Sequence, residues 1–258
     1  MSGVHLAVEG AVKRYGRATA LAGVDLIVHP GDRLGLVGES GSGKSTLGRL
    51  LLGLEHPEEG SVLVDGRELR SVLSTRSGRL GYRRRVQLVA QDTSSTFDPR
   101  HSVGDSIMVP ARLLGGHDTA GARAAMEQVA TELEIPLALL DRRPDQLSGG
   151  QRQRMAIARA LVVRPELVVA DEVVSALDVS VQGTVLNLLK RYCREHGAGL
   201  VFISHGLPAT AFITERLVVL YHGVVAETGP TDQVLEHPQD PYTRSLVAAY
   251  AFSDADAV

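Results

Sequence analysis

Cysteine, tryptophan and aromatic residues in general are scarce in this 258-residue chain: 1 Cys, no Trp, and 4% Phe plus Tyr. A lone Cys193 cannot close an intramolecular disulfide, so a stapled secreted scaffold is excluded and a reducing compartment is expected. Excess charge of one sign is missing as well. The 27 Lys and Arg stand against 30 Asp and Glu, a formal charge of −3. A dedicated nucleic-acid binder carries a basic excess, so no nucleic-acid partner is expected. No apolar run reaches the roughly 18 residues that a bilayer span needs. The start, Met1-Ser2-Gly3-Val4-His5, has no basic stretch before an apolar one and does not read as a signal peptide. A soluble chain is the expectation. Repeats, low-complexity tracts and flexible linkers are also lacking. What is abundant is apolar residues, at 44%, enough for the core of one large α/β domain or two small ones.

Short apolar runs bounded by turn residues predict strands over 5–8, 24–28, 33–37 and 61–64, the last closed by the hairpin pair Asp65-Gly66. Another strand is predicted over 86–90. From Gln91 to Ala160 the strand signal stops, and helices are predicted over 120–133 and 152–162. Strands return over 167–170, 200–204 and 217–220, with a helix over 180–194 between the first two. The pattern is an α/β core interrupted by a helical insertion of roughly 60 residues. The basic run Arg83-Arg84-Arg85 reads as a solvated face.

The strand over 33–37 runs into Gly38-Glu39-Ser40-Gly41-Ser42-Gly43-Lys44-Ser45-Thr46, and a helix is predicted over 44–54. This run fits G-x-x-x-x-G-K-[ST] at every fixed position. The glycines let successive backbone N–H groups approach phosphate oxygens with no Cβ in the way, and the following helix offers its unpaired amides to the same anion. Lys44 can then reach the β- and γ-phosphates, and the Ser45 hydroxyl can ligate Mg²⁺. No Asn-Lys-x-Asp guanine-reading element occurs, so ATP is the expected nucleotide. The strand over 167–170 ends in Asp171-Glu172. Side chains alternate along a strand, so the two carboxylates have different jobs: Asp171 toward Mg²⁺, Glu172 toward an attacking water as general base.

Leu147-Ser148-Gly149-Gly150-Gln151 precedes another helix. Ser148 and Gln151 have capping-box spacing, yet two glycines in a first turn are unfavourable unless something approaches the backbone closely. Here the chain resembles the ATP-binding cassette (ABC) ATPases. Residues 147–151 look like their signature, Gln91 like the Q-loop glutamine, Ser175-Ala176-Leu177-Asp178 like the D-loop, His205 like the switch histidine, and Tyr15 like the aromatic that stacks on adenine. Motif order agrees from about residue 4 to 230. The resemblance implies an α/β P-loop NTPase (RecA-like) core with an antiparallel β subdomain, spanning 1–91 and 161–258, and an inserted α-helical subdomain over 92–160. It also implies a composite site in which two cassettes close head to tail on ATP and Mg²⁺. Ser148, Gly149, Gly150 and Gln151 would then face the γ-phosphate held by a partner cassette. Asp178 would communicate across the dimer, Gln91 would link Mg²⁺ to the membrane subunits, and His205 would help organise the attack.

Gln91-Asp92-Thr93-Ser94-Ser95-Thr96-Phe97-Asp98-Pro99-Arg100 and the tail His237-Pro238-Gln239-Asp240-Pro241-Tyr242-Thr243-Arg244-Ser245-Leu246 resemble segments of the dipeptide, oligopeptide and nickel importer ATPases. That branch implies a peripheral subunit on the cytoplasmic face of the membrane, partnered by a second ATPase (a sister chain or itself) and two permease subunits. An extracytoplasmic solute-binding protein acts indirectly, and peptide, nickel and metallophore are open as solutes. Two departures stand out. Val173-Val174 replaces the usual Pro-Thr, and Gly206 replaces the Asp that usually follows the histidine, which removes a local acceptor. With one cysteine, no iron–sulfur cluster is expected. The alternatives are a soluble ABC protein acting on ribosomes or DNA, and a non-hydrolysing regulatory module. The first lacks its tandem cassettes or coiled-coil insertions here. Intact Lys44, Asp171, Glu172 and His205 argue against the second.

Overall fold

The computed structural model describes residues 3–92, 96–175 and 177–255. Met1 and Ser2 of the start, Thr93, Ser94 and Ser95 of the importer-like segment, and Ala176 of the D-loop-like segment lie outside the described residues. In chain order, β1 (Leu6–Tyr15) and β2 (Ala18–Val28) form a hairpin, and β3 (Arg33–Val37) leads into α1 (Lys44–Leu51). Next come β4 (Glu59–Val64), β5 (Arg67–Glu68), α2 (Leu69–Val72), α3 (Arg76–Arg85) and β6 (Val86–Val89). The helical stretch holds α4 (Val103–Leu113), α5 (Thr119–Glu132) and α6 (Gly149–Leu161). The remainder alternates: β7 (Leu167–Asp171), α7 (Val179–His196), β8 (Gly199–Ile203), α8 (Leu207–Ile213) and β9 (Arg216–Tyr221). β10 (Val224–Pro230), α9 (Thr231–Glu236) and α10 (Pro241–Ala255) complete it.

The first sheet is antiparallel, in the order β2-β1-β4-β5. Its β4–β5 turn is the anticipated hairpin: Val64 pairs with Arg67, and Asp65 and Gly66 both take positive φ, as a two-residue type I′ turn demands. β1 runs well beyond the predicted 5–8 because register shifts after Val8 absorb Gly10 and let the strand continue to Tyr15. The second sheet runs β10-β9-β3-β8-β7-β6. Its strands are parallel except β10, which returns antiparallel on β9. β7 and β8 are buried along almost their whole length, as parallel strands covered on both faces must be, which explains their unbroken apolar runs.

Helix α1 lies between the sheets, where Leu47, Leu50 and Leu51 join Leu6, Leu36 and Val169 in one apolar cluster. It stops at Leu51 rather than at residue 54, because Gly53 turns left-handed (φ +63°) and the Leu54 N–H closes back on the Arg49 carbonyl at 3.0 Å. The opposite face of the parallel sheet is covered by the helical stretch. Ile107, Met126 and Met155, joined by Leu189 of α7, pack there with Val168 and Phe202. Cys193 is buried in the same cluster, and burial pushes its thiol up to about 12. The Arg83-Arg84-Arg85 run ends α3. Arg83 and Arg84 face solvent, but Arg85 is half-buried and pairs with Asp65 and, at 2.9 Å, with Glu166.

What this topology does for function is set by register. Asp171 at the end of β7 pairs with Ile203 at the end of β8, and Leu36 near the end of β3 pairs with the same Ile203. The segments that follow β3, β7 and β8 therefore leave the sheet along one carboxyl edge, where ligands of open α/β sheets bind.

Candidate active site

The loop after β3 is pressed against neighbouring backbone. A Cβ on Gly38 (φ +145°) would stand 2.1 Å from the Leu220 carbonyl oxygen, and one on Gly43 (φ +106°) 2.4 Å from that of Ala20. Only glycine fits at either place, and the result is a tight loop at the start of α1 in which the Ser42 N–H turns back to the Glu39 carbonyl at 3.2 Å. Lys44 follows, 6% exposed. Its ammonium donates to the carbonyl oxygens of Gly38 (2.8 Å) and Glu39 (2.7 Å), with Ser42 Oγ at 3.5 Å. Burial pulls the Lys44 ammonium below its usual range, and the charges of Glu172, Asp171 and Glu39 partly restore it. A cation held by carbonyls in a polyanion-shaped cradle is poised to exchange them for phosphate oxygens.

Ser45 Oγ donates to Asp171 Oδ1 at 3.4 Å. Burial, then the neighbouring Glu172 charge, pushes the Asp171 carboxyl above the ordinary carboxylate range, against the Ser45 hydrogen bond, Arg49 and Lys44. A hydroxyl and a partly buried carboxylate side by side are hard oxygen donors, and their chemistry fits Mg²⁺. Residue Glu172 sits in the left-handed region (φ +51°), uncommon for a side chain of its kind and the sort of strain found at functional turns. Its N–H donates to the Ile203 carbonyl at 2.9 Å, so the sheet holds the turn in place. Both carboxylate oxygens meet His205 Nδ1, at 3.1 and 3.2 Å. A carboxylate only accepts, so Nδ1 carries the hydrogen and Nε2 is left for another partner. Behind them, Ser175 Oγ donates to the Glu172 carbonyl (2.9 Å) and accepts from Gln91 Nε2 (3.4 Å).

One cavity of about 530 Å³ joins these groups, lined by Tyr15, Ala20, Ser40, Gly41, Gly43, Lys44, Ser45, Thr46, Gln91, Glu172 and His205. That size suits a nucleotide. Tyr15 stands half-exposed at one end, with Lys13 Nζ 5.5 Å from its ring centroid and its hydroxyl bonded to Glu55. The other anticipated residues lie elsewhere. Gly38, Glu39, Ser42 and Asp171 are not on the cavity's lining, although Asp171 meets the cavity residue Ser45. Ser148 caps α6, accepting from the Gln151 N–H (3.3 Å) while Gln151 Oε1 accepts from the Ser148 N–H (3.0 Å), which is the capping box. Ser148 and Gly149 are exposed, and neither they nor Gly150, Gln151 or Asp178 line the cavity. Gly150 has a packing reason of its own, since a Cβ there would come 2.8 Å from Val181 Cγ1 of α7. Asp178 precedes α7, yet its exposed carboxylate makes no capping bond; its backbone carbonyl accepts from Val181 and Gln182.

The two departures now have structural settings. Val173 and Val174 are 2% and 4% exposed and belong to the large apolar cluster. Gly206 N–H donates to Ser204 Oγ at 3.0 Å, which fixes the turn but supplies no acceptor in place of the carboxylate. Sequence reasoning missed Ala20, Glu55 and two tail tyrosines. Tyr242 Oη accepts the Glu39 N–H at 2.9 Å, and Tyr250 Oη donates to the His205 carbonyl. No local pattern announces contacts that span 203 and 45 residues.

An anion cradle between a parallel strand and the helix it feeds, faced by acidic strand ends on the same edge, places the chain among the P-loop nucleotide-binding proteins. The family model described as ABC transporter matches residues 21–175, more than half of its length. The chain belongs to the ABC transporter family. It is 44% identical to the glutathione import ATP-binding protein GsiA of Salmonella paratyphi A over 239 residues, 91% of this chain and 37% of that protein. The chain thus spans little more than a third of that relative's length. It is 41% identical over 260 residues to a putative peptide import ATP-binding protein of Brucella ovis, covering 98% of this chain and 80% of that one. Among solved structures, the ATP-binding cassette MJ0796, described as a dimer in a post-hydrolysis state bound to ADP and Pi, superposes with TM-score 0.79 at 28% identity. That match covers 88% of this chain and 98% of the other. The cbiO1 cassette of Clostridium perfringens shares the fold, at TM-score 0.81 and 24% identity over 92% of each chain. The mixed α/β cassette with an antiparallel and a parallel sheet is therefore the fold anticipated from the motifs.

Proposed function

We propose that this chain is the ATP-hydrolysing subunit of an importer, driving uptake of a small peptide-type solute through separate permease subunits. The observation that carries this reading is the Glu172–His205 pair, held at 3.1 Å on the same cavity as Lys44 and Ser45. Lys44 exchanges its carbonyl partners for β- and γ-phosphate oxygens. Ser45 and Asp171, with Gln91 on the same cavity, would hold Mg²⁺, which would neutralise charge on the phosphate oxygens. Glu172 accepts a proton from the attacking water at a carboxylate oxygen. His205 fixes that carboxylate through Nδ1–H and turns Nε2 toward the terminal phosphoryl group. Tyr15 offers its face to the adenine.

Exposed Ser148 and Gly149 and the exposed Asp178 carboxylate suit a second cassette, this chain or a sister, closing head to tail so that residues 148–151 meet the partner's ATP. In this reading residues 92–160 form the helical subdomain, and 1–91 with 161–258 form the rest. A groove of about 700 Å³ beside α4, with Val109 and Leu113 exposed on its wall, suits a permease docking surface, and in this reading the subunit works on the cytoplasmic face of the membrane. Among the described residues no helix is long and apolar enough to cross a membrane. The similarity to proteins named for glutathione and peptide import favours a peptide-type solute over nickel or a metallophore. Reconstitution with the permease subunits tests the reading: uptake of labelled peptide should require ATP and stop with Glu172→Gln. Uptake that persists with this variant contradicts it.

A further inference from the structure

The tail motif that marks the importer branch also has a place in the site. Asp240 Oδ1 accepts from the N–H groups of Tyr242 (2.8 Å) and Thr243 (3.2 Å), so it caps α10. Glu227 of β10 anchors the preceding turn, accepting from the N–H groups of Gln239 (2.9 Å) and Asp240 (3.0 Å). The Tyr242 ring stacks on Tyr221 at the end of β9, with centroids 4.0 Å apart and planes 25° from parallel. Leu246, Val247 and Tyr250 lie against Val37, the last residue of β3, and Leu207, the first of α8. Helix α10 is thereby fixed at its start and laid along the edge where the phosphate loop and the switch segment emerge. From that seat its two tyrosines reach one segment each. Tyr242 Oη takes the Glu39 N–H of the phosphate loop, and Tyr250 Oη gives its hydrogen to the carbonyl of His205. Tyr250 also feels the Glu172 charge, which adds to burial in raising its phenol.

We propose that α10 is a strap along the edge of the active site, with Tyr242 a positioning residue for the phosphate loop and Tyr250 a positioning residue for His205. The proposal rests on the reading of Glu172 and His205 given above. Its physical content is that the imidazole can meet Glu172 only while the backbone of residue 205 stays where the Tyr250 hydroxyl holds it. The loop that carries Glu39 is held in the same way by Tyr242. A tail that shifts in the assembled transporter would therefore be felt at both segments at once.

The test uses the full chain and the variants Tyr242→Phe and Tyr250→Phe, which keep the packed rings and remove only the hydroxyls. Amide hydrogen exchange is read with and without MgATP, beside steady-state hydrolysis and thermal melting. Tyr250→Phe should speed exchange around residues 204–207 and lower kcat roughly 2- to 10-fold, the range for one net hydrogen bond, with KM for ATP nearly unchanged. Tyr242→Phe should speed exchange at the phosphate loop and raise KM by a similar factor, with kcat nearly kept. Unchanged exchange in the corresponding segment overturns the strap. So does faster exchange with unchanged kinetics, or a fall in both constants that merely follows a lower Tm. Glu172→Gln, run alongside, separates the two failures. If it hydrolyses normally, the reading of the site has failed. If it is inactive while Tyr250→Phe matches the parent, the strap alone has failed.

Discussion

Replacing Glu172 with Gln removes one proton acceptor and very little else. The side chain is 19% exposed, its backbone is pinned by the N–H bond to Ile203, and a Gln amide oxygen can still accept from His205 Nδ1 where the carboxylate does at 3.1 Å. The geometry should survive, so the loss is chemical. A positioned general base supplies about 10²–10⁴ in rate, or about 3–5 kcal/mol of barrier at 1.36 kcal/mol per decade. Binding should move the other way. Glu172 is a negative charge on a cavity meant for a polyanion, and a like-charge pair about 6 Å apart in water costs roughly 0.7 kcal/mol, about threefold in affinity. The assay is phosphate release by the full chain at saturating MgATP, paired with a direct ATP titration. Turnover should fall at least about 10²-fold while ATP binds as tightly as before or a few-fold tighter. A variant that hydrolyses within twofold of the parent, or that loses ATP, refutes the assignment of Glu172 as base.

Ser148→Arg removes an exposed cap worth about 1 kcal/mol and puts bulk where a partner's phosphate should sit. ATP affinity of the single cassette should hold within about twofold, while the ATP-driven rise to dimer mass in light scattering, with itself or its sister ATPase, disappears; a normal dimer yield contradicts the composite site. Asp171 has its carboxyl raised in the folded chain by burial and by Glu172. The folded state therefore keeps a proton that the unfolded state releases, so stability falls as pH rises from the unfolded toward the folded value and stays lowered above it. Asp171→Asn should accordingly stabilise the nucleotide-free chain at pH 7, by about 1 kcal/mol or about 2–4 °C in Tm, while abolishing the Mg²⁺ dependence of ATP binding. A melting scan in which the parent is the more stable at pH 7 contradicts this.

Legibility in the sequence followed the locality of each interaction. The strand, loop and helix from β3 to α1 were readable because glycine placement, lysine and serine all act within a few residues of one another. β7 and β8 were readable because strands buried on both faces leave unbroken apolar runs. Helix α3 escaped notice because only Tyr82 of its ten residues is buried, so it has no periodic stripe; its one signal is Thr75, which caps it by accepting from the Gly78 N–H. α4 was hidden by Pro110 inside it, normally a helix breaker. Strand β10 is mostly half-exposed and ends in Gly229-Pro230, and only its pairing with β9 makes it a strand. In the site, Lys44, Ser45, Asp171, Glu172 and His205 could be picked out because each follows a recognisable strand or loop. Ser175 as the bridge between Gln91 and the Glu172 carbonyl could not, nor could Tyr242 and Tyr250, whose partners are backbone groups in distant segments.

The central claim is that the cavity at the carboxyl edge of the parallel sheet holds a nucleoside triphosphate through Lys44. Calorimetric titration of the full chain with MgATP addresses it most directly. The parent should bind one nucleotide per chain, and Lys44→Ala, which loses hydrogen bonds between charged groups worth about 1.5–3 kcal/mol, should bind roughly 10- to 150-fold more weakly. A parent that takes up no ATP, or a Lys44→Ala chain that takes it up equally well, contradicts the account.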